Sequence, residues 1–161
     1  MPGEQWTGGA RRPGGPGDRH RPQPAMPSGP SASAKGIIED VLEGDMGKID
    51  ARAEELARRI NKEQLSASQV RNFYGAFAKI RTERDAAKRL QQLKQHRARL
   101  AYLTARAKGS ADPLWDVFGP LLRDSRHEHV DAICSFAEAI VAYHKYFEDR
   151  GGRAGREARN G

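Results

Sequence analysis

The chain has 161 residues, a net charge of +7 from 28 basic and 21 acidic residues, and a hydrophobic content of 37%. This length suits one small domain, and a single cysteine, Cys134, excludes an internal disulfide and a cysteine-rich metal site. No apolar run approaches the length of a membrane span, and the start of the chain lacks the apolar stretch of a secretory signal, so we expect a cytoplasmic protein with no membrane partner.

Composition divides the chain into three parts. Residues 1–34 are rich in Gly, Pro, Ser and Arg and show almost no apolar periodicity, which predicts a disordered basic N-terminal extension. Residues 150–161 alternate Arg with Gly, Ala and Asn, which predicts a flexible basic tail. Residues 35–149 show helical periodicity and form the predicted helical domain, which is near the usual size of a small domain.

Helical periodicity predicts an all-α fold without strands. A turn or two of helix is expected first, ended by Gly44, and Gly151-Gly152 is expected to end the last helix. Gly119-Pro120 is expected to kink or split the helix that contains it. Short connections favour a compact bundle of about five helices with mostly antiparallel neighbours. The short first segment and the five helices after it are predicted at residues 35–43, 48–61, 65–82, 84–108, 112–122 and 126–148.

The helix predicted at 65–82 has a well-specified start. Ser66 is a good N-cap, Gln69 completes a capping box, and Leu65 and Val70 occupy the positions of a hydrophobic staple. Apolar residues recur along this helix at helical spacing and predict a core face. The ridge on the opposite side consists of Arg71, Gly75, Lys79 and Thr82.

Positive charge is concentrated in this helix and the next. Residues 61–111 contain 12 basic and three acidic residues, a net +9, whereas residues 112–149 contain three basic and eight acidic residues, a net −5. The basic block therefore meets either a polyanion or the acidic face of a neighbour or of another copy.

The helix predicted at 84–108 carries a polar stripe whose chemistry suits single-stranded nucleic acid. Basic side chains bind phosphates, amides hydrogen-bond sugars or bases, and an aromatic ring offers a stacking surface. Such a composition is also typical of the exposed face of any long helix, so the pattern alone leaves both interpretations open. Arg97 falls in the apolar stripe, where we expect it to snorkel or to pair with an acid. The polar stripe consists of Lys88, Gln92, Gln95, Arg99, Tyr102 and Arg106.

No set of residues in the sequence assembles a catalytic or metal site. His127 and His129 are two residues apart, which places them on different sides of a helix, and no third ligand lies at a metal-binding spacing. The sequence contains neither a phosphate-cradling Gly loop nor a nucleophile elbow, and Cys134 falls on an apolar stripe. We therefore expect no enzyme, no catalytic or metal-binding residue and no cofactor.

Three segments together resemble one family. Residues 66–74, Ser-Ala-Ser-Gln-Val-Arg-Asn-Phe-Tyr, resemble the Thr/Ser-Ser-Gln-Ile/Leu-Arg-aromatic signature of the small subunit of type III-A CRISPR effector complexes, the Csm small-subunit family. Residues 99–106 resemble its Lys-Leu-Ala-Tyr-x-x-x-Arg segment, and residues 136–147 resemble its C-terminal Phe...Val-Ala-Tyr-His-Lys motif. The long N-terminus and the Arg-rich tail depart from the family's pattern.

The resemblance implies a small, all-helical, non-catalytic subunit. It implies that several copies self-associate in a short filament along guide RNA and target RNA, beside the backbone subunits and the large polymerase-like subunit of an antiviral ribonucleoprotein. Contacts to the target-strand backbone would not depend on base sequence, because pairing with the guide RNA supplies the sequence specificity. By position, Tyr102 and His144 are expected to be structural. With Lys88 added from the polar stripe, the expected RNA-binding residues are Arg71, Lys79, Lys88, Arg99 and Arg106.

Two other functions fit the residues. A helical adaptor would dock its basic block on the acidic 112–149 segment of the next copy, and RNA would be contacted only by its partners. A DNA-binding helix-turn-helix protein fits less well, because the link at Glu83 is very short and a recognition helix of about 25 residues is unusual.

Overall fold

The computed structural model describes residues 29–157, with the side chains of residues 29–151. Within this part the chain forms six α-helices and no strand, which confirms the all-α prediction. A 3-10 turn at His127–His129 directly precedes the last helix. The helices are α1 (Ala32–Glu43), α2 (Met46–Lys62), α3 (Ala67–Thr82), α4 (Ala86–Arg106), α5 (Asp112–Asp124) and α6 (Val130–Glu157).

The first helix, α1, has 12 residues and is longer than the predicted turn or two. Its start is capped by Ser31, whose Oγ accepts a hydrogen bond from the main-chain N–H of Ala34 (3.2 Å). Gly44 ends it with a φ of 79°, a left-handed conformation that glycine adopts without steric cost. The main-chain N–H of Ser31 also donates to the carboxylate of Asp116 (3.0 Å), which ties the start of α1 to α5.

The first and last helices extend beyond their predicted ends. α1 begins inside the predicted extension 1–34, whose first 28 residues lie outside the described part of the chain. α6 continues through Gly151-Gly152 to Glu157, so the prediction that this glycine pair ends the helix is wrong. Glycine costs a helix about 1 kcal/mol relative to alanine but keeps its N–H donor, so it weakens the last turns without breaking them. The tail predicted at 150–161 therefore begins inside α6.

The ends of α3 and α5 follow from local sequence. Ser66 and Gln69 form the predicted capping box, in which each side chain accepts a hydrogen bond from the other residue's main-chain N–H (3.3 and 3.0 Å). In α5 the N-cap is Ala111, which makes no side-chain cap hydrogen bond, and Asp112 is the first helical residue. Pro120 lies inside α5 without splitting it.

The hydrophobic core is centred on aromatic rings from three helices. α6 packs along α2 and α3, while α5 packs against α4 and α1. Neighbouring rings of Phe73, Phe77, Phe118 and Phe136 have centroids 4.8 to 5.6 Å apart, in edge-to-face or stacked arrangements. These contacts bury one face of α3, and its opposite ridge is left on the outside of the bundle.

Candidate nucleic-acid interface

Helices α3 and α4 lie side by side as an antiparallel hairpin. Near the link between them, Nε of Arg89 donates a hydrogen bond to the main-chain carbonyl of Ile80 (3.2 Å). Further along both helices, the ring centroids of Phe77 and His96 are 4.7 Å apart. Asp85 caps the start of α4 by accepting a hydrogen bond from the main-chain N–H of Lys88 (3.1 Å). The outer faces of the two helices therefore form one surface.

A groove with a cavity volume of about 340 Å³ lies between α3 and α4 on this surface. Lys79 of α3 and Arg99 of α4 both line it, so the fold brings two of the five predicted residues together. Gln92 and Gln95 add side-chain amides from the polar stripe of α4. The groove thus combines two cations with hydrogen-bonding amides, groups that bind phosphates and the edges of sugars or bases. Its other lining residues are Ala76, Ile80 and His96.

All five predicted RNA-binding residues have exposed side chains. In the described part of the chain, no carboxylate oxygen lies within 4.0 Å of their charged nitrogens. Nε of Arg71 donates to the main-chain carbonyl of Ala67 (3.3 Å), and Nη1 of Arg106 donates to the hydroxyl of Tyr102 (2.8 Å). Lys88 lies in the first turn of α4 and, like Arg71 and Arg106, it does not line the groove.

Basic residues on the other helices are mostly held by carboxylates. Within the basic block, Arg81 pairs with Glu138 and Arg89 pairs with Asp131, and both carboxylates belong to α6. Positive charge without a partner is therefore concentrated on the outer face of α3 and α4, where a solvent-exposed cation is free to bind an anion. The paired cations of α2, α5 and α6 are Lys48, Arg52, Arg58, Arg59, Arg123 and Lys145.

The ridge of α3 also exposes main chain at Gly75. A Cβ atom placed on Gly75 would meet no atom of the described residues within 4 Å, so packing among them gives no reason for glycine at this position. Gly75 lies four residues after Arg71 and four before Lys79, on the same side of the helix. The helix surface between these two cations is accordingly bare and open to close approach.

His144 and Tyr102, the two residues expected to be structural, differ in their burial. His144 is buried, and its Nε2 lies 2.9 Å from the main-chain carbonyl of Leu65, so it ties α6 to the start of α3 as expected. Tyr102 is 63% exposed and does not pack in the core, so the expectation was wrong for this residue. Its partner is Arg106 on the next turn of α4, whose guanidinium lies 5.6 Å from the ring centroid.

Among the described residues Arg97 pairs with no acid, although an acid partner is one of its two expected states. Its Nε donates to the main-chain carbonyl of Gly119 (3.0 Å), and its guanidinium lies 5.1 Å from the centroid of the Trp115 ring. The side chain is half-buried between α4 and α5, with its charge placed over an aromatic face. Arg97 therefore joins two helices and is not part of the outer basic surface.

His96 was not recognised as a core residue from the sequence. It is only 4% exposed, and neither ring nitrogen has a partner with good hydrogen-bond geometry among the described residues. Burial, together with the nearby charge of Arg99, lowers the pKa of His96 to about 4, although the main chain of Phe73 acts in the opposite direction. Its spacing, three residues after Leu93 and four before Leu100, which are both buried, fits a core position, but the spacing of Arg97 fits the same stripe.

The described residues contain neither a metal-binding cluster nor a membrane-spanning helix. No group of three His, Cys, Asp or Glu side chains there could hold a metal ion. None of the helices in that part is long and apolar enough to cross a membrane. The arrangement on α3 and α4 thus offers charge, amides and one exposed ring, and these are binding groups.

Comparison with known proteins adds one finding. Residues 43–150 match the profile of the family described as Csm2 Type III-A, and this range contains α2 to α5, most of α6 and all five predicted RNA-binding residues. Neither curated proteins nor solved structures give a significant match to the chain. Since the profile covers well over half of the 161 residues, the chain belongs to the Csm2 Type III-A family and is a subunit of the type III-A CRISPR effector complex.

Proposed function

We propose that this chain is a non-catalytic small subunit that contacts the backbone of the target RNA without reading its sequence. Several copies stack along the guide RNA and target RNA, beside the backbone subunits and the large polymerase-like subunit, and serve antiviral defence. The family membership supports a place in the effector complex, and the surface chemistry of α3 and α4 supports the contact with RNA.

The observation that carries this proposal is the unpaired basic surface of α3 and α4. Arg71, Lys79, Lys88, Arg99 and Arg106 are exposed and have no carboxylate partner in the described part of the chain, while Arg81 and Arg89 of the same helices are neutralised by α6. Phosphates attract lysine and arginine whatever the bases are, so such a surface binds a strand without selecting its sequence.

The adaptor alternative is less well supported. It requires free carboxylates in residues 112–149 to receive the basic block of another copy. Several of these carboxylates are already held within the same chain, because Asp131 pairs with Arg89, Glu138 pairs with Arg81 and Asp116 lies 4.0 Å from Arg59. These pairs reduce the acidic charge that is available to bind a second basic block.

Arginine-to-alanine variants in the assembled complex test the proposal. We expect Arg71→Ala and Arg99→Ala to weaken binding of all target sequences about equally. Each should also lower the slope of log affinity against log salt by roughly one unit per lost phosphate contact. The measurement is target-RNA affinity over a series of salt concentrations, with at least two unrelated guide and target pairs.

Arg123→Ala is the matched control. Arg123 is an exposed arginine that bonds Asp124 (2.9 Å), so its charge is already neutralised and its removal should leave affinity and salt slope unchanged. If Arg71→Ala and Arg99→Ala both behave like Arg123→Ala, the proposed contact with RNA is wrong.

A further inference from the structure

Tyr102 is the most exposed large hydrophobic side chain in the described part of the chain, at 63%. Its ring is nevertheless held in place, because Nη1 of Arg106 donates to its hydroxyl (2.8 Å) and the guanidinium lies 5.6 Å from the ring centroid. A ring oriented before a ligand arrives loses less conformational entropy on binding. Tyr102 therefore presents a preorganised aromatic surface to whatever approaches α4.

The residues around Tyr102 are those of the basic surface. Arg99 lies three residues before it and Arg106 four residues after it, so all three share one side of α4, with Arg99 also lining the groove. No other large hydrophobic residue is exposed on α4; within the described part, the other two such residues are Met46 and Tyr146. A single exposed ring between cations combines a stacking surface with phosphate-binding groups, and this combination suits a nucleotide.

We propose that Tyr102 is the stacking platform for one unpaired nucleobase of the bound RNA strand, with Arg99 and Arg106 neutralising the adjacent phosphates. This inference rests on the proposed function and adds a base contact to it. Every nucleobase has a π-face, so stacking on tyrosine adds affinity without adding sequence preference. The contact is therefore compatible with a subunit whose sequence specificity comes from guide pairing.

A second tyrosine in the chain provides a matched control. Tyr146 on α6 is 50% exposed, accepts a hydrogen bond from Nη1 of Arg150 (2.5 Å), and has the guanidinium 5.2 Å from its ring centroid. Its geometry thus repeats that of Tyr102 and Arg106. The preceding residue, Lys145, is neutralised by Asp149 (2.7 Å). Among the described residues, Tyr146 therefore has one flanking cation without a carboxylate partner, Arg150, whereas Tyr102 has two.

The experiment titrates the full-length chain into a single-stranded oligouridylate that carries one fluorescent purine analogue, whose emission is quenched on stacking. The parent chain should quench the emission on binding. Tyr102→Leu should abolish the quenching and lower the affinity by roughly 5- to 150-fold, the equivalent of about 1–3 kcal/mol per stacked base, while leaving the salt slope unchanged. Tyr102→Phe keeps the ring and should retain both signals, and Tyr146→Leu should behave as the parent.

Three results would overturn the inference. The first is a Tyr102→Leu variant with parental affinity and quenching. This result would reject stacking on Tyr102 but would not contradict the proposed contact of the basic residues with phosphates. The second is a parent chain with no affinity for the oligonucleotide; the proposed function is then tested separately by the salt dependence of the assembled complex. The third is a Tyr102→Leu variant that binds RNA like the parent but no longer self-associates, as measured by light scattering without RNA. This result would mean that the ring contacts a protein partner.

Discussion

His96 is a basic residue that the fold keeps neutral. Its ring lies against the rings of Phe77 (4.7 Å between centroids) and Phe73 (5.6 Å), and neither ring nitrogen has a hydrogen-bond partner with good geometry among the described residues. Burial therefore lowers its pKa to about 4. Although His96 lines the groove between the basic helices, it adds no positive charge there at neutral pH.

This burial makes stability depend on pH. Between about pH 6.5 and pH 4 the unfolded chain takes up a proton that folded His96 does not, so acidification favours unfolding. From pH 7 to pH 5 the expected loss is about 2 kcal/mol. We expect His96→Phe, which keeps an aromatic ring between Phe73 and Phe77, to remove this part of the pH dependence.

The measurement is denaturant unfolding of parent and variant at both pH values. Other titrating groups are common to the two proteins, so the difference between them isolates His96. If parent and variant lose stability in parallel, His96 is not held neutral by the fold.

At the scale of helices, the start of α3 shows how local sequence sets an element's position. The capping box of Ser66 and Gln69 satisfies main-chain donors that a helix start leaves free. Leu65, directly before it, is buried, and its carbonyl bonds His144 of α6 (2.9 Å). The cap thus sets where α3 begins, and the contact with His144 holds that start against the bundle. Because the start of α3 is set, helical spacing then places Arg71 and Lys79 on the outer ridge.

We expect Ser66→Ala to lower the free energy of unfolding by about 1 kcal/mol, because the main-chain N–H of Gln69 loses its acceptor. Ser68→Ala is the control, since Ser68 is exposed within the same first turn and is not the cap. The measurement is thermal or denaturant unfolding of both variants. Equal stability of the two variants would mean that the capping box contributes nothing.

At the scale of the whole molecule, the fold pairs some cations of the basic block at 61–111 with carboxylates and leaves others without a partner among the described residues. α6 runs antiparallel to α3 and supplies Glu138 to Arg81 and Asp131 to Arg89, across 57 and 42 residues of sequence. These pairs lie toward the link between α3 and α4. The free cations Arg71, Lys79 and Arg99 lie on the outer surface, where they are available to a strand.

A double-mutant cycle of Arg89 and Asp131 measures one of these pairs. Asp131 is mostly exposed, so we expect a coupling energy of no more than about 1 kcal/mol that decreases at high salt. Arg89→Ala should be more destabilising than Asp131→Ala, because Arg89 also loses its hydrogen bond to the carbonyl of Ile80 (3.2 Å). Denaturant unfolding of the four proteins gives both values. A larger effect of Asp131→Ala would contradict the contact with Ile80.

Much of the fold could be predicted from the sequence because its causes are local. The start of α3 was predicted from its cap, and α4 begins and ends within two residues of its predicted bounds. The incorrect predictions also have physical reasons. Arg97 and His96 are consecutive, so periodicity could not distinguish which one lies in the core, and the answer depended on the positions of Phe77 and Trp115 on other helices. Gly151-Gly152 predicts a helix end because glycine weakens a helix, but α6 continues through the pair.

The sequence by itself determined the helical class, the basic block at 61–111 and the outward ridge of α3, because periodicity, caps and charge are properties of neighbouring residues. Only the tertiary structure decided which cations are neutralised, since the carboxylates that bind Arg81 and Arg89 come from a distant helix. It also decided that Lys79 and Arg99 share one groove, and that Tyr102 is exposed rather than packed. Pairing, burial and proximity arise when helices pack, so they cannot be read from residues that are close only in sequence.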